Sequence, residues 1–180
     1  VGSVTGQTPV VSREIPAQSF VPGGANSTLD LSSYFALPGV SGQLVQFDTV
    51  VGKFNVELRS DVAPKHVANF LAYVQDGRYA GSFFHRAAPL DGTSAASIVQ
   101  GGGYRLINGQ LSEVPKYEAV PLEYNLPNAR GTLAAARTSD VNSATSEWYF
   151  NAKDNSSILN QSNGGGYTVF GRVIGTGMVV

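Results

Sequence analysis

The 180-residue sequence contains no cysteine. That absence removes disulfide staples, thiolate metal sites and cysteine nucleophiles together. Only two histidines are present, His66 and His85, too few for a histidine-rich metal centre, and no metal or other cofactor is expected. Charge is sparse and balanced, with 12 Lys+Arg against 13 Asp+Glu and a formal net charge of -1. Proteins that track a phosphate backbone carry a dense basic stripe, so nucleic acid is not an expected partner. Apolar runs fall well short of the ~20 residues that cross a bilayer as a helix, and no membrane span is expected. Glycine (21), proline (9), phenylalanine (9) and tyrosine (8) are plentiful, a composition of turns and aromatic-bearing strands that points to a mainly β protein.

Residues 1–42 are rich in Gly, Ser, Pro and Thr and read as an irregular N-terminal extension. Within it Leu29, Leu31 and Phe35 are candidates to dock on a core, and Pro22-Gly23-Gly24 reads as a turn. Residues 43–180 form the main domain. No basic segment followed by an apolar stretch opens the chain. Lack of cysteine agrees with a periplasmic or secreted protein, with a cytoplasmic one not excluded. A start at Val1 reads as a processed or trimmed chain, and the apolar end Gly177–Val180 reads as a stop inside an element.

Period-2 alternation is clear in Val45, Phe47 and Thr49 and again in Phe54, Val56 and Leu58, which predicts an antiparallel hairpin about Val51-Gly52-Lys53. Asp61 is a candidate cap and Pro64 suits a first helical turn. Val67, Phe70, Leu71 and Val74 then follow i, i+3, i+4, i+7, which predicts one buried helix face ending at Asp76-Gly77. His66 falls between the two faces and reads as a surface histidine. Further short strands are expected at Phe83–Arg86, Ser97–Gln100, Gly131–Ala136, Glu147–Asn151 and Tyr167–Val173, divided by Gly- and Asn-rich loops. Many short strands with one early helix favour a closed antiparallel barrel over a parallel sheet.

Several familiar chemistries are missing. No G-x-S-x-G elbow supports a serine nucleophile, and the glycine runs match neither a dinucleotide fingerprint nor a phosphate loop, so they read as turns. N-x-[ST] triplets at Asn26, Asn155 and Asn160 are expected by chance. Arg86, at a strand end after Phe83-Phe84-His85, and Gln100, ahead of three glycines, are more telling. A guanidinium steered by a neutral amide offers fixed donors but no proton to give, which suits electrostatic stabilisation over acid–base work. On composition alone the pair reads first as structural.

Six segments in order resemble the cyclophilins, most closely the bacterial branch: Ala63–Phe70, Phe83-Phe84-His85-Arg86, Val99–Gly103, Arg130–Arg137, Asn142–Asn151 and Val169–Val173. The resemblance covers about residues 43–180. It implies a closed eight-stranded antiparallel barrel capped by two helices, one near 63–76 and the second near Val120–Leu126 or in the 140s. It also implies peptidyl-prolyl cis-trans isomerisation without cofactor, with proline-containing peptides or unfolded proteins as partners and a monomeric chain. Arg86 is then the catalytic donor, and Gln100 orients it and hydrogen-bonds the substrate backbone.

By the same resemblance the substrate-binding residues are Ser97, Ile98, Ala136, Arg137, Glu147, Tyr149, Ile158, Leu159 and Tyr167. Tyr149 stands where Phe is usual, Ile98 for Met and Glu147 for Gln. Ile158 stands near a usual aromatic, and Tyr167 where several members carry His. Ser97 replaces a Phe, so one apolar wall is expected to be missing. Between Arg86 and Gln100 lie thirteen residues, AAPLDGTSAASIV, longer than the family's spacing. Leu90 in that added stretch is a candidate replacement wall. The leading expectation is an active isomerase, and the alternative is a catalytically weak cyclophilin-like module that binds Pro-containing peptides or a protein partner.

Overall fold

The computed structural model describes residues 10–17, 34–175 and 177–179; Leu29, Leu31, Asn26 and the Pro22–Gly24 turn lie outside them. In the extension, β1 (Val10–Val11) pairs antiparallel with β2 (Phe35–Ala36). The Arg13 guanidinium stacks 4.6 Å from the Tyr34 ring centroid. Tyr34 is buried and Phe35 is exposed, so the extension's anchor is one residue earlier than expected.

The predicted hairpin forms from β3 (Leu44–Thr49) and β4 (Gly52–Leu58), turning at Val50-Val51 rather than at Val51–Lys53. Helix α1 (Pro64–Gln75) follows. Pro64 sits at its first turn, where a missing N–H costs nothing. Asp61 is not its cap, because both carboxylate oxygens are taken by Arg59 at 2.8 and 2.6 Å. Glu123, from a distant loop, instead accepts the backbone N–H groups of Lys65 and His66 at 3.2 and 3.0 Å. The buried face is His66, Val67, Phe70 and Tyr73, with Val74 exposed. His66 is thus an interior residue and not a surface one, drawn in by its 2.8 Å bond from Nδ1 to Glu123.

The chain continues through β5 (Arg86–Ala88), β6 (Ile98–Gly101), β7 (Tyr104–Ile107), β8 (Gln110–Glu113), β9 (Thr132–Ala135), β10 (Trp148–Asn151) and β11 (Val169–Ile174). Seven of these strands make one curled antiparallel sheet, a half-barrel in the order β3-β4-β11-β9-β10-β6-β5. Its concave side, with α1, encloses Val56, Leu58, Val67, Phe70, Leu133, Trp148, Phe150 and Phe170. Strands β3 and β5 are the sheet's edges. Between β3 and residues 77–84 runs an apolar groove of about 710 Å³, lined by Val45, Phe47, Phe70, Val74, Phe84 and Trp148 among others.

Among the described residues α1 is the one α-helix. Neither position expected for a second helix is helical. Residues 120–126 form no helix, with Pro121 lacking the N–H a helix interior needs, and Val120 bridges Ala144 instead. The 140s form a turn in which Asp140 accepts the Asn142 N–H and Ser143 Oγ accepts the Thr138 N–H.

Candidate active site

Strand register decides which side chains meet. Arg86 lies opposite Gln100, Gln100 opposite Tyr149, Tyr149 opposite Ala134, and Ala134 opposite Val169. Directly paired residues project from the same face of a sheet, so these five form a row across β5, β6, β10, β9 and β11. That face is the convex one. Trp148 and Phe150, alternating with Tyr149, point inward to the main core. Outside, Ile98, Ala134, Tyr149 and Val169 make a second apolar cluster, with Ala88, Leu90, Leu126, Ala136, Leu159 and Tyr167 packed on it. At about 4.8 Å between strands, the Arg86 and Tyr149 backbones stand roughly 10 Å apart.

The polar end of the row is a chain of directed bonds. Arg86 donates from a terminal N–H to Gln100 Oε1 at 3.0 Å, and Gln100 Nε2 donates to Glu147 Oε2 at 2.6 Å. A carboxylate only accepts, so Glu147 fixes which way the Gln100 amide faces and leaves its oxygen for Arg86. His85 Nε2 approaches the same Glu147 oxygen at 3.4 Å. Arg86 itself is exposed, as a group that meets a ligand must be.

Glycines let these groups converge. A Cβ on Gly101 would lie 2.6 Å from the Trp148 ring, and Gly102 holds φ +78°, in the left-handed region. Together they let the chain turn from β6 into β7 while Glu147 and His85 close around Gly103, where a Cβ would sit 3.0 Å from each.

The apolar end rests on a buried amide network that the sequence did not reveal. Tyr149 donates its hydroxyl to Asn128 Oδ1 at 2.8 Å, and Asn151 donates to the same oxygen at 3.1 Å. Asn155 donates to Asn151 and to the Ser97 carbonyl, at 2.8 and 2.9 Å. Burial pushes the Tyr149 phenol well above its ordinary value, so it stays a neutral donor. Asn155 is itself completely enclosed, which removes it as a glycosylation acceptor.

The remaining expected residues divide clearly. Ile98, Ala136, Leu159 and Tyr167 meet at the Tyr149 cluster, with Tyr167 edge-on to Tyr149 at 6.0 Å. Ile158 is half-buried beside Leu159. Arg137 stacks on Tyr167 at 4.3 Å and spends its guanidinium on the Gly164, Gly166 and Thr138 carbonyls, so it clamps a loop. Ser97 has no exposed surface; its hydroxyl accepts the Leu90 N–H at 3.0 Å. Leu90 packs against the Tyr149 cluster. The segment after Leu90 is tied to Lys153, which donates to Asp91 at 2.8 Å and to Thr93 at 2.7 Å.

An exposed cation and an oriented amide thus stand beside a second, buried apolar cluster on the outer face of a curled antiparallel sheet. A solved cyclophilin-type isomerase of Cryptosporidium parvum, determined in the presence of the dipeptide Ala-Pro, superposes with a TM-score of 0.58 at 26% identity, covering 76% of this chain and 82% of that one. The family model for cyclophilin type peptidyl-prolyl cis-trans isomerase/CLD matches residues 44–180. Peptidyl-prolyl cis-trans isomerase cyp18 of Streptomyces antibioticus is 39% identical over 132 residues, covering 72% of this chain and 75% of its own length. Isomerase B of Escherichia coli K12 is 38% identical over 137 residues, covering 73% and 77%. The chain belongs to the cyclophilin-type peptidyl-prolyl cis-trans isomerase family.

Proposed function

We propose that Arg86 is the catalytic residue of this chain and that the Ile98, Tyr149, Leu159 and Leu90 side chains form the seat of the substrate proline. Rotation about an Xaa-Pro bond is opposed by amide resonance, with a barrier of roughly 18–20 kcal/mol. A guanidinium directed at the proline nitrogen localises its lone pair and weakens the partial double bond. Apolar walls strengthen that interaction and favour the less polar twisted amide. No bond to the enzyme forms and no proton is transferred. Gln100 is the positioning residue for Arg86, and Glu147 for Gln100. The observation that carries the reading is the row Arg86–Gln100–Tyr149 on one outward face, with the amide of Gln100 oriented by Glu147.

Substrates are proline-containing peptides and unfolded segments, where cis and trans forms are both populated and exchange takes tens to hundreds of seconds. Exchange NMR on an Ala-Pro peptide tests the assignment. Wild-type protein is expected to broaden and merge the cis and trans signals, and Arg86→Ala to reduce that rate at least a hundredfold, about 2.7 kcal/mol of barrier. Equal rates in the two proteins would remove Arg86 from the mechanism.

The closed eight-stranded barrel belongs to the same proposal. The groove along β3 supports it, since a strand added there would cover Phe47, Phe84 and Trp148. Hydrogen exchange at Leu44, Gln46 and Asp48 is the check, because protection of these amides requires a strand on the outer side of β3.

A further inference from the structure

Strands β7 and β8 form a two-stranded sheet of their own, joined by Asn108-Gly109 with φ of 52° and 77°. Both residues in the left-handed region make the tight turn that matches strand twist. The register is Tyr104↔Glu113, Arg105↔Ser112, Leu106↔Leu111 and Ile107↔Gln110. Tyr104, Leu106, Leu111 and Glu113 therefore share one face, with the Glu113 carboxylate at the Tyr104 end paired to Lys116 at 3.2 Å. That face is open: Leu106 is 53% and Leu111 64% exposed. Single exposed leucines are ordinary, but a directly paired set is an apolar patch.

The patch is continuous with the proposed catalytic row. Tyr104 meets His85 edge-on at 5.1 Å, and His85 immediately precedes Arg86 and touches Glu147. The hairpin cannot swing away freely. Leu106 N–H donates to the Gly81 carbonyl at 2.9 Å, Ser82 bridges Arg105, and Val114 N–H donates to Gly103 at 2.9 Å. Gly81 has φ +71° and lies so close that a Cβ would stand 2.7 Å from the Leu106 oxygen. The arm is thus anchored along the β7 backbone and at its base while the leucine side chains stay exposed.

We propose that the Tyr104–Leu106–Leu111 face of this hairpin is an extended substrate subsite, taking an apolar stretch of the same polypeptide whose proline is being isomerised. The inference rests on the isomerase assignment of Arg86 and adds the substrate class: unfolded segments with large apolar residues near the proline. An extended client advances about 3.3 Å per residue, so a stretch of several residues beside the proline can reach along the hairpin. Leu106 and Leu111 also support each other as a cross-strand pair. Threonine at both positions preserves strand propensity while removing the apolar surface.

The test compares substrates of two kinds, three peptides in all, with wild type, the double variant Leu106→Thr/Leu111→Thr, and Arg86→Ala. One substrate is a four-residue Ala-Pro peptide. The other is a longer pair of peptides carrying a Leu-Phe-Leu stretch before or after the same Ala-Pro. The double variant is expected to isomerise the short peptide at the wild-type rate. On one longer peptide its kcat/KM should fall about tenfold, through KM, as two leucine contacts are lost. Arg86→Ala should still bind that longer peptide with wild-type affinity by fluorescence titration. Equal kcat/KM of the double variant and wild type on all substrates overturns the subsite. So does sedimentation showing a dimer that only the leucine hairpin supports, because the face would then be filled by a second copy. A wild type that accelerates none of the peptides but binds the longer one overturns the isomerase reading and leaves the subsite standing.

Discussion

Arg86 and Gln100 act through direction as much as through charge. Gln100→Leu keeps the side-chain volume but withdraws the carbonyl that holds the guanidinium at 3.0 Å. The expected outcome is a loss of about tenfold in kcat, the ~1.4 kcal/mol of one charge-assisted bond, with KM little changed; equal kcat would show that Arg86 needs no guide. Leu90→Ala probes the opposite end of the site. It removes half-buried methyls from the Tyr149 cluster, so stability should fall by about 2 kcal/mol and KM should rise while kcat holds. Thermal melts and saturation kinetics separate the two effects. The Arg86–Gln100 contact follows from strand-end and glycine context that the sequence shows, but on those residues alone the pair reads as structural, and its catalytic role rests on family resemblance; the apolar cluster beside it was only half legible. Ser97 replaced a large residue at one position, and only the folded loop shows Leu90 arriving from another.

Helix α1 starts on a carboxylate from elsewhere in the chain, and this makes its stability pH-dependent. Burial holds the His66 imidazole below the ordinary histidine value of 6.5, outweighing the attraction of Glu123, so the folded ring is neutral and donates from Nδ1. The unfolded chain takes up the proton first as pH falls. Stability is therefore fully present above about 6.5 and declines below it. The Tm is expected to drop between pH 7.5 and 5.5, and His66→Asn, which keeps a donor and cannot titrate, should flatten that slope; identical slopes in the two proteins would remove His66 as the source. At this scale the sequence was informative about periodicity and weak about partners. Four predicted strands appear within a residue or two of their bounds, and α1 within one. The helix face was rotated because Glu123, 57 residues away from His66, is invisible to a local pattern. By contrast β7–β8 carried a readable signal, Asn-Gly between short alternating runs, that went unused. The helix expected at 120–126 or in the 140s came from family resemblance, against the local evidence of Pro121 and Pro127.

Across the whole molecule, the two ends of the described domain are stitched together at Glu57. Its carboxylate is 1% exposed. It accepts the Ser41 and Gly42 amides at 2.7 and 2.9 Å and the Arg172 guanidinium at 2.6 Å, a bond spanning 115 residues. Arg172 also reaches the Gly39 carbonyl. Burial alone would raise the Glu57 pKa, but the two amides and Arg172 outweigh it and hold the acid below 4.5. Three separate segments, the end of the extension, β4 and β11, therefore depend on one anion. The β4–β11 pairing, which closes the longest loop in the sheet, sits at the same junction. Glu57→Ala leaves two amides and a partly covered cation without their acceptor, and the cost should be about 3 kcal/mol. For a chain of this size that lowers Tm by roughly 10 °C. Glu57→Gln keeps one acceptor and should lose less, while Arg172→Met leaves the carboxylate two amide partners and should fall between them. The ordering Ala, Met, Gln in urea midpoints identifies the anion as the element that holds the ends. If Arg172→Met instead costs as much as Glu57→Ala, the ion pair carries the stability and the amides of Ser41 and Gly42 merely follow it.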